Sequence, residues 1–179
     1  MSFPCQPTLS TERLTLRDIE YSDWKEIMYL RSDPTINQYV HRPKSDSKEK
    51  AVSFIEAIKQ KVDNGESFYW CISEKNNPAM IGSICLWNFE KEAKSAEVGY
   101  DLDLKFHKKG IMNEALGAVL NFGFNTVKLE KIEAFTQSNN QASIALLLRN
   151  GFQINASRND KDNELNSIFE IYSPSAKNI

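Results

Sequence analysis

The order of elements in the chain predicts an α+β fold: a mixed, mainly antiparallel sheet of seven strands flanked by about four helices. Three observations predict it. Several short runs alternate apolar and polar residues, the period of a half-buried strand. Other stretches place apolar residues three to four apart, as on one side of a helix. The two kinds of segment interleave as β-α-α-β-β-β-α-β-α-β-β, which suits helices packed on both faces of one sheet.

Glu12–Arg17 alternates, with Leu14 and Leu16 on one side, and reads as the first strand. Ser22 and Asp23 offer caps to a helix carrying Trp24, Ile27, Met28 and Arg31, and Pro34 closes it. Ser45-Asp46-Ser47 opens a second helix with Val52, Ile55, Ile58 and Val62 on one stripe, and Gly65 stands where a C-terminal cap belongs. Ser67–Ser73 and Ile81–Trp87 read as strands around a turn at Lys75-Asn76-Asn77-Pro78. Ala96, Val98, Tyr100 and Leu102 alternate with Glu97, Gly99, Asp101 and Asp103 in the next strand. A helix from about Gly110 to Asn125, a strand over Lys131–Thr136 and a helix over Asn140–Asn150 follow. Phe152–Ile154 and Ser167–Tyr172 supply the last strands, on either side of the polar loop Arg158–Glu164.

The chain has 179 residues, the length of a single domain. It carries 22 Lys+Arg against 24 Asp+Glu, a net charge of −2, which argues against a dedicated nucleic-acid binder or a basic membrane-surface protein. No apolar run reaches the roughly 20 residues of a membrane span. The opening Met1–Pro7 lacks the basic start and apolar stretch of a secretory signal. Cys5, Cys71 and Cys85 are far apart and only two histidines exist, His41 and His107, so neither a zinc site nor a disulfide framework is expected. A reduced, cytoplasmic protein with inert thiols is the expectation.

Three segments can carry chemistry. In the first, Asp101–Lys109 runs from a strand end through a basic stretch to Gly110, which starts an amphipathic helix. The first turn of a helix has unpaired N–H groups and partial positive charge, and a glycine there admits a phosphate close to the backbone. Lys108 and Lys109 add mobile charge, so the junction reads as a pyrophosphate cradle or as a plain capped helix after a basic loop. It is neither a Walker loop nor a three-glycine dinucleotide fingerprint. In the second, Glu97 lies opposite its apolar neighbours Ala96 and Val98; lining a cleft it could act as a general base, and otherwise it is a solvated strand carboxylate. In the third, Asn139–Ser143 starts a helix, where Asn or Ser caps the helix or a hydroxyl one turn in donates a proton.

Together these segments resemble the GNAT acetyltransferase superfamily, most closely its Rim-type branch, whose best-known members acetylate the N-terminal amine of ribosomal proteins. Thr11–Arg17 resembles that branch's opening strand, and Arg31–Val40 the end of its first helix. Ala96–Leu102 through Gly110–Leu116 resembles the acetyl-CoA core motif. Asn140–Ser143 with Arg149-Asn150-Gly151-Phe152 resembles the closing helix motif. The likeness spans roughly residues 10–172.

The resemblance implies a GNAT-like fold and an acetyl-CoA-dependent N-acetyltransferase that transfers directly to an amine, with no thiol nucleophile and no metal. It implies a pyrophosphate site on the backbone from about Lys109 through Ile111 and Met112 to Asn113, with His107, Lys108 and Gly110 in the core motif. It implies that backbone groups near Asp101 and Leu102, with Asn140, hold the pantetheine arm, that Glu97 is the general base and that Ser143 is the general acid. The sequence departs from the motif: His107 replaces a common Gln or Arg, Lys108 a frequent glycine, and Met112 is bulkier than glycine. None of these changes removes a backbone donor. The acceptor is expected to be a protein N-terminal amine; a small amine such as a polyamine, amino acid or antibiotic is the alternative, and a noncatalytic acetyl-CoA-binding module another. Monomer and homodimer both fit. The acceptor cleft is expected between the first two helices and the loop Arg158–Glu164, with Trp24, Tyr29, Phe68, Trp70 and Trp87 as possible lining or as core.

Overall fold

The computed structural model describes residues 5–90, 92 and 94–174. Of the stretch read as lacking a leader, Met1–Pro4 lie outside the described residues. The strands are β1 (Leu9–Ser10), β2 (Leu14–Arg17), β3 (Phe68–Glu74), β4 (Asn77–Glu90), β5 (Ser95–Leu102), β6 (Lys131–Gln137), β7 (Gln153–Ile154) and β8 (Asn166–Tyr172). The helices are α1 (Trp24–Ser32), α2 (Lys48–Asp63), α3 (Ile111–Phe122) and α4 (Gln141–Arg149). The strands form one sheet in the order β1-β2-β3-β4-β5-β6-β8-β7. Every neighbouring pair is antiparallel except β5 and β6. The mixed, mainly antiparallel sheet is as expected, but the described strands number eight rather than seven. The added one, β1, is only two residues long, too short for alternation to register.

Each face of the sheet carries its own core. On one side Phe68, Trp70, Ile72, Ile84, Leu86, Ala96 and Val98 meet Ile111, Ala115, Leu116, Val119 and Phe122 of α3 and Leu147 of α4. Phe68 and Trp70 set their rings edge-on to Phe122, with centroids 4.9 and 5.3 Å apart. Full burial of such side chains is worth roughly 1.5–3 kcal/mol each. On the other side Tyr69 and Cys71 meet Ile27 and Leu30 of α1 and Ala51 and Ile55 of α2. β3 is therefore apolar on both faces, and period two cannot say which residues face which core.

Caps follow the sequence in part. Ser47 accepts a hydrogen bond from the Lys50 N–H at the start of α2. Asp23 precedes α1 without bonding to it. Its buried carboxylate instead takes two bonds from Arg17, at 2.7 and 2.9 Å, and one from the Glu20 N–H, tying β2 to the entry of α1. The turn after β3 is tighter than expected: Asn77 already pairs with Glu74, so β4 includes Pro78. No helix among the described residues is long and apolar enough to cross a membrane.

Candidate active site

The parallel pair β5–β6 is the feature that builds the site. The two strands pair at Ser95–Lys131, Ala96–Ile132 and Glu97–Glu133, and no further. Beyond that rung β5 continues to Leu102 with β4 alone. The edge of β5 from Val98 onward thus faces an opening where a sheet neighbour would otherwise sit, and backbone groups there need another partner.

The α3 entry lies at the far end of this edge. Asp103 caps a short turn over Leu104–Phe106 by accepting from the Lys105 N–H at 3.0 Å. His107 donates from Nε2 to the Leu102 carbonyl at 3.0 Å, since a carbonyl can only accept. Lys108 and Gly110 then take left-handed conformations, with φ of 60° and 76°. The second is a natural place for glycine, and a Cβ there would also lie 3.4 Å from Arg13 Nη2. The first bond inside α3 runs from the Glu114 N–H to the Gly110 carbonyl, so the N–H groups of Ile111, Met112 and Asn113 have no partner within the helix. The Met112 side chain is buried in the α3 core, which keeps its bulk away from that end. Lys108 and Lys109 are exposed, and the Lys109 ammonium lies over the Phe106 ring at 5.3 Å.

A brace holds this end in place. Glu114 accepts from the Arg13 N–H at 2.8 Å, from Arg13 Nε at 2.6 Å and from the Thr11 hydroxyl. Arg13 also donates to the Lys109 carbonyl at 3.0 Å. Burial pushes the Glu114 carboxyl up, but these bonds from Thr11 and Arg13 hold it below the ordinary value. An acidic residue in a helix's first turn is a known signal, but only the fold reveals its partner about a hundred residues away.

Alternation places Glu97, Gly99 and Asp101 on the α1/α2 face, and Tyr100 with the α3/α4 core. Glu97 is half-buried beside Trp87, its register partner. Burial raises its carboxyl to about 7; a bond with Asn88 opposes the rise, and the charges of Asp160 and Glu133 add to it. A carboxyl at that value can both take and release a proton near neutrality. An open cleft of about 440 Å³ lies on this face, with Phe135 and Ile168 as floor and Arg158, Asn159, Asp160 and Lys161 as wall. The loop lines the cleft as expected, but α1 and α2, expected to share it, contribute none of these lining residues; the floor comes from β6 and β8 instead. Of the five aromatics named above, Phe68 and Trp70 are core, Trp24 packs against the α1/α2 core, and Tyr29 and Trp87 are exposed. The side chain of Asp101 accepts from Ser83 at 2.6 Å and from Arg42 at 2.9 Å, and the bond from the Asp103 N–H to the Ile81 carbonyl sets Asp101 and Ser83 as a ladder pair, so the Asp101 backbone turns toward β4 and that of Leu102 toward the opening.

On the α3/α4 side, Asn140 caps α4, accepting from the Ser143 N–H at 3.2 Å. The Ser143 hydroxyl is 2.8 Å from that of Tyr100. Burial pushes the Tyr100 phenol up to about 12, against the Ser143 bond, so it stays protonated at neutral pH. Asn113 accepts from Asn150, linking α3 to the end of α4 at 3.0 Å. Glu97 and Ser143 thus belong to opposite faces of the sheet. The sequence assigns no site role to Arg13, Glu114, Tyr100 or Glu133, and Arg158 enters it only as the first residue of the cleft loop. Among the described residues no cluster of His, Cys, Asp and Glu is placed to hold a metal ion.

Residues 13–153 match the acetyltransferase (GNAT) domain family. The uncharacterized N-acetyltransferase p20 of Bacillus licheniformis is 30% identical over 165 residues, covering 92% of this chain and 93% of that protein. Among solved structures, a ribosomal L7/L12 α-N-protein acetyltransferase in complex with coenzyme A has a TM-score of 0.81 at 20% identity, covering 93% of this chain and 98% of that one. The microcin C7 self-immunity acetyltransferase MccE, in complex with acetyl-CoA and AMP, has a TM-score of 0.78 at 20% identity, over 94% and 98%. The chain belongs to the GNAT acetyltransferase family. It is an acyltransferase of the N-acetyltransferase type.

Proposed function

We propose that this chain transfers the acetyl group of acetyl-CoA to the N-terminal amine of a protein, as one cytoplasmic domain over about residues 10–172. The observation that carries the reading is the opening after the Glu97–Glu133 rung, which has unpaired helix donors toward one face and a proton-exchanging carboxyl on the other.

Acetyl-CoA supplies an activated acetyl thioester and a pyrophosphate. The residues at the α3 entry fit the pyrophosphate: N–H groups from Lys109 to Asn113, a left-handed Gly110 without a Cβ, and the mobile charges of Lys108 and Lys109. The β5 edge near Asp101 and Leu102 suits the amide groups of the pantetheine arm. His107 already uses one lone pair of the Leu102 carbonyl and leaves the other. Asn140 spends its oxygen on the α4 cap, so its amide NH₂ is the group left for a ligand.

The acceptor amine enters from the α1/α2 face. An alkyl ammonium must lose a proton before it can attack, and Glu97 is the group on that face able to take one near neutrality. Ser143, held by Tyr100, keeps a proton at Oγ on the opposite side for the departing sulfur. Such help is typically worth about 10²–10⁴-fold in rate. A protein N-terminus suits a cleft open to solvent, and one structural neighbour is named for that reaction. The test is free CoA release from acetyl-CoA across peptides with varied N-terminal residues and a panel of small amines. Turnover on peptides alone is expected; turnover only on a small amine would overturn the acceptor assignment.

A further inference from the structure

Three carboxylates stand in a row on the α1/α2 face. Glu97 pairs in register with Glu133, and Glu133 with Glu170, across β5, β6 and β8. Neighbouring strands lie roughly 4.8 Å apart, so three adjacent charges repel strongly unless cations answer them. Arg158 answers two. Its Nη1 donates to Glu133, and to Glu170 at 2.8 Å. Lys131 adds a bond to Glu133 at 2.7 Å. Asn155 and Tyr172 bond Glu170 at 2.9 and 3.2 Å. Burial pushes the Glu170 carboxyl up, but the bonds from Asn155 and Arg158 hold it below its ordinary value. Glu97 is in none of the ion pairs among the described residues. The groups that bear on it are the Asn88 amide from β4, Glu133 from β6 and Asp160 from the cleft wall. It also sits at the last paired rung, beside the opening.

We propose that Arg158 is a positioning residue: by gripping Glu133 and Glu170 with one guanidinium, it leaves Glu97, the member of the row outside those ion pairs, to exchange the acceptor's proton. The proposal rests on the reading of Glu97 as base. It also explains why a polar loop lines the cleft, because the side chain that fixes the row is one wall of it.

The experiment follows the glutamate carboxyl carbons by NMR in protein labelled at that carbon, between pH 4 and 9, with no substrate present. In the native protein one carboxyl titrates near 7, and Glu97→Gln removes that signal. Arg158→Met leaves Glu133 and Glu170 poorly compensated and moves the Glu97 midpoint upward by about one pH unit. Adding Glu133→Gln to Arg158→Met returns it toward the native value, and Arg158→Lys holds it near native. Should Arg158→Met fold poorly, Glu133→Gln alone moves the midpoint down. An unmoved Glu97 midpoint in Arg158→Met, or no return in the double variant, overturns the proposal. A purely structural loop defect alters turnover without moving that midpoint. The base reading fails separately, if Glu97→Gln turns over acetyl-CoA and amine at the native rate.

Discussion

Replacing Glu97 by glutamine should stabilise the protein at pH 8 and leave it nearly unchanged at pH 4.5. In the unfolded chain the carboxyl titrates near its ordinary value of 4.5, and in the fold burial raises it to about 7. Between those values the native state binds the proton more tightly than the unfolded state. The stability this contributes is therefore full below about pH 4.5, falls as pH rises to about 7, and is absent above. At ~1.36 kcal/mol per pH unit the span amounts to ~3.4 kcal/mol. Glu97 is only half-buried, and solvent screening takes roughly half of it, leaving about 1–2 kcal/mol. Glutamine keeps the shape and the Asn88 contact but cannot ionise. Urea unfolding of both proteins at pH 4.5 and 8 measures the effect. The variant's advantage should grow by about 1–2 kcal/mol between the two. An equal difference at both, or a native protein favoured at pH 8, would refute the idea that this carboxyl is desolvated by the fold.

Gly110→Asp puts a Cβ on a left-handed residue and a carboxylate at the α3 entry. It should cost about 1–2 kcal/mol in stability and weaken acetyl-CoA binding at least tenfold by calorimetry; unchanged affinity would remove the cradle. Ser143→Ala should lower kcat by about tenfold or more with the acetyl-CoA Kd unchanged, and Tyr100→Phe should lower it less, in stopped-flow CoA release. Glu114→Gln loosens the Arg13 brace and should cost about 1 kcal/mol, discounted for the half-exposed arginine, read as a lower urea midpoint.

The sequence carries the fold more fully than the site. Amphipathic stripes announce α2, α3 and α4, and alternation announces β2 and β5, because one face of each is buried and the other wet. Element ends are less legible. α3 stops at Phe122 and passes into a π-helical turn over Gly123–Val127, although the apolar stripe continues. β4 outruns the apolar core of Ile81–Trp87 at both ends, since ladder bonds extend where side chains are exposed. Glu97, Gly110 and Ser143 stand out locally, by strand phase, by glycine at a helix start and by position one turn into a helix. The Arg13–Glu114 brace, the Tyr100–Ser143 contact and the Glu97–Glu133–Glu170 row do not. Each joins segments that only the closed sheet brings together, and a lone arginine or tyrosine gives no periodic signal of its partner.

The most direct measurement is the pH dependence of amine-driven CoA release for the native protein and Glu97→Gln, with acetyl-CoA affinity measured alongside. Native kcat/KM should rise through about pH 7 and level off. Glu97→Gln should be slower by about a hundredfold, without that rise, and with acetyl-CoA affinity intact. A Glu97→Gln enzyme with the native rate and the native pH profile would contradict the account.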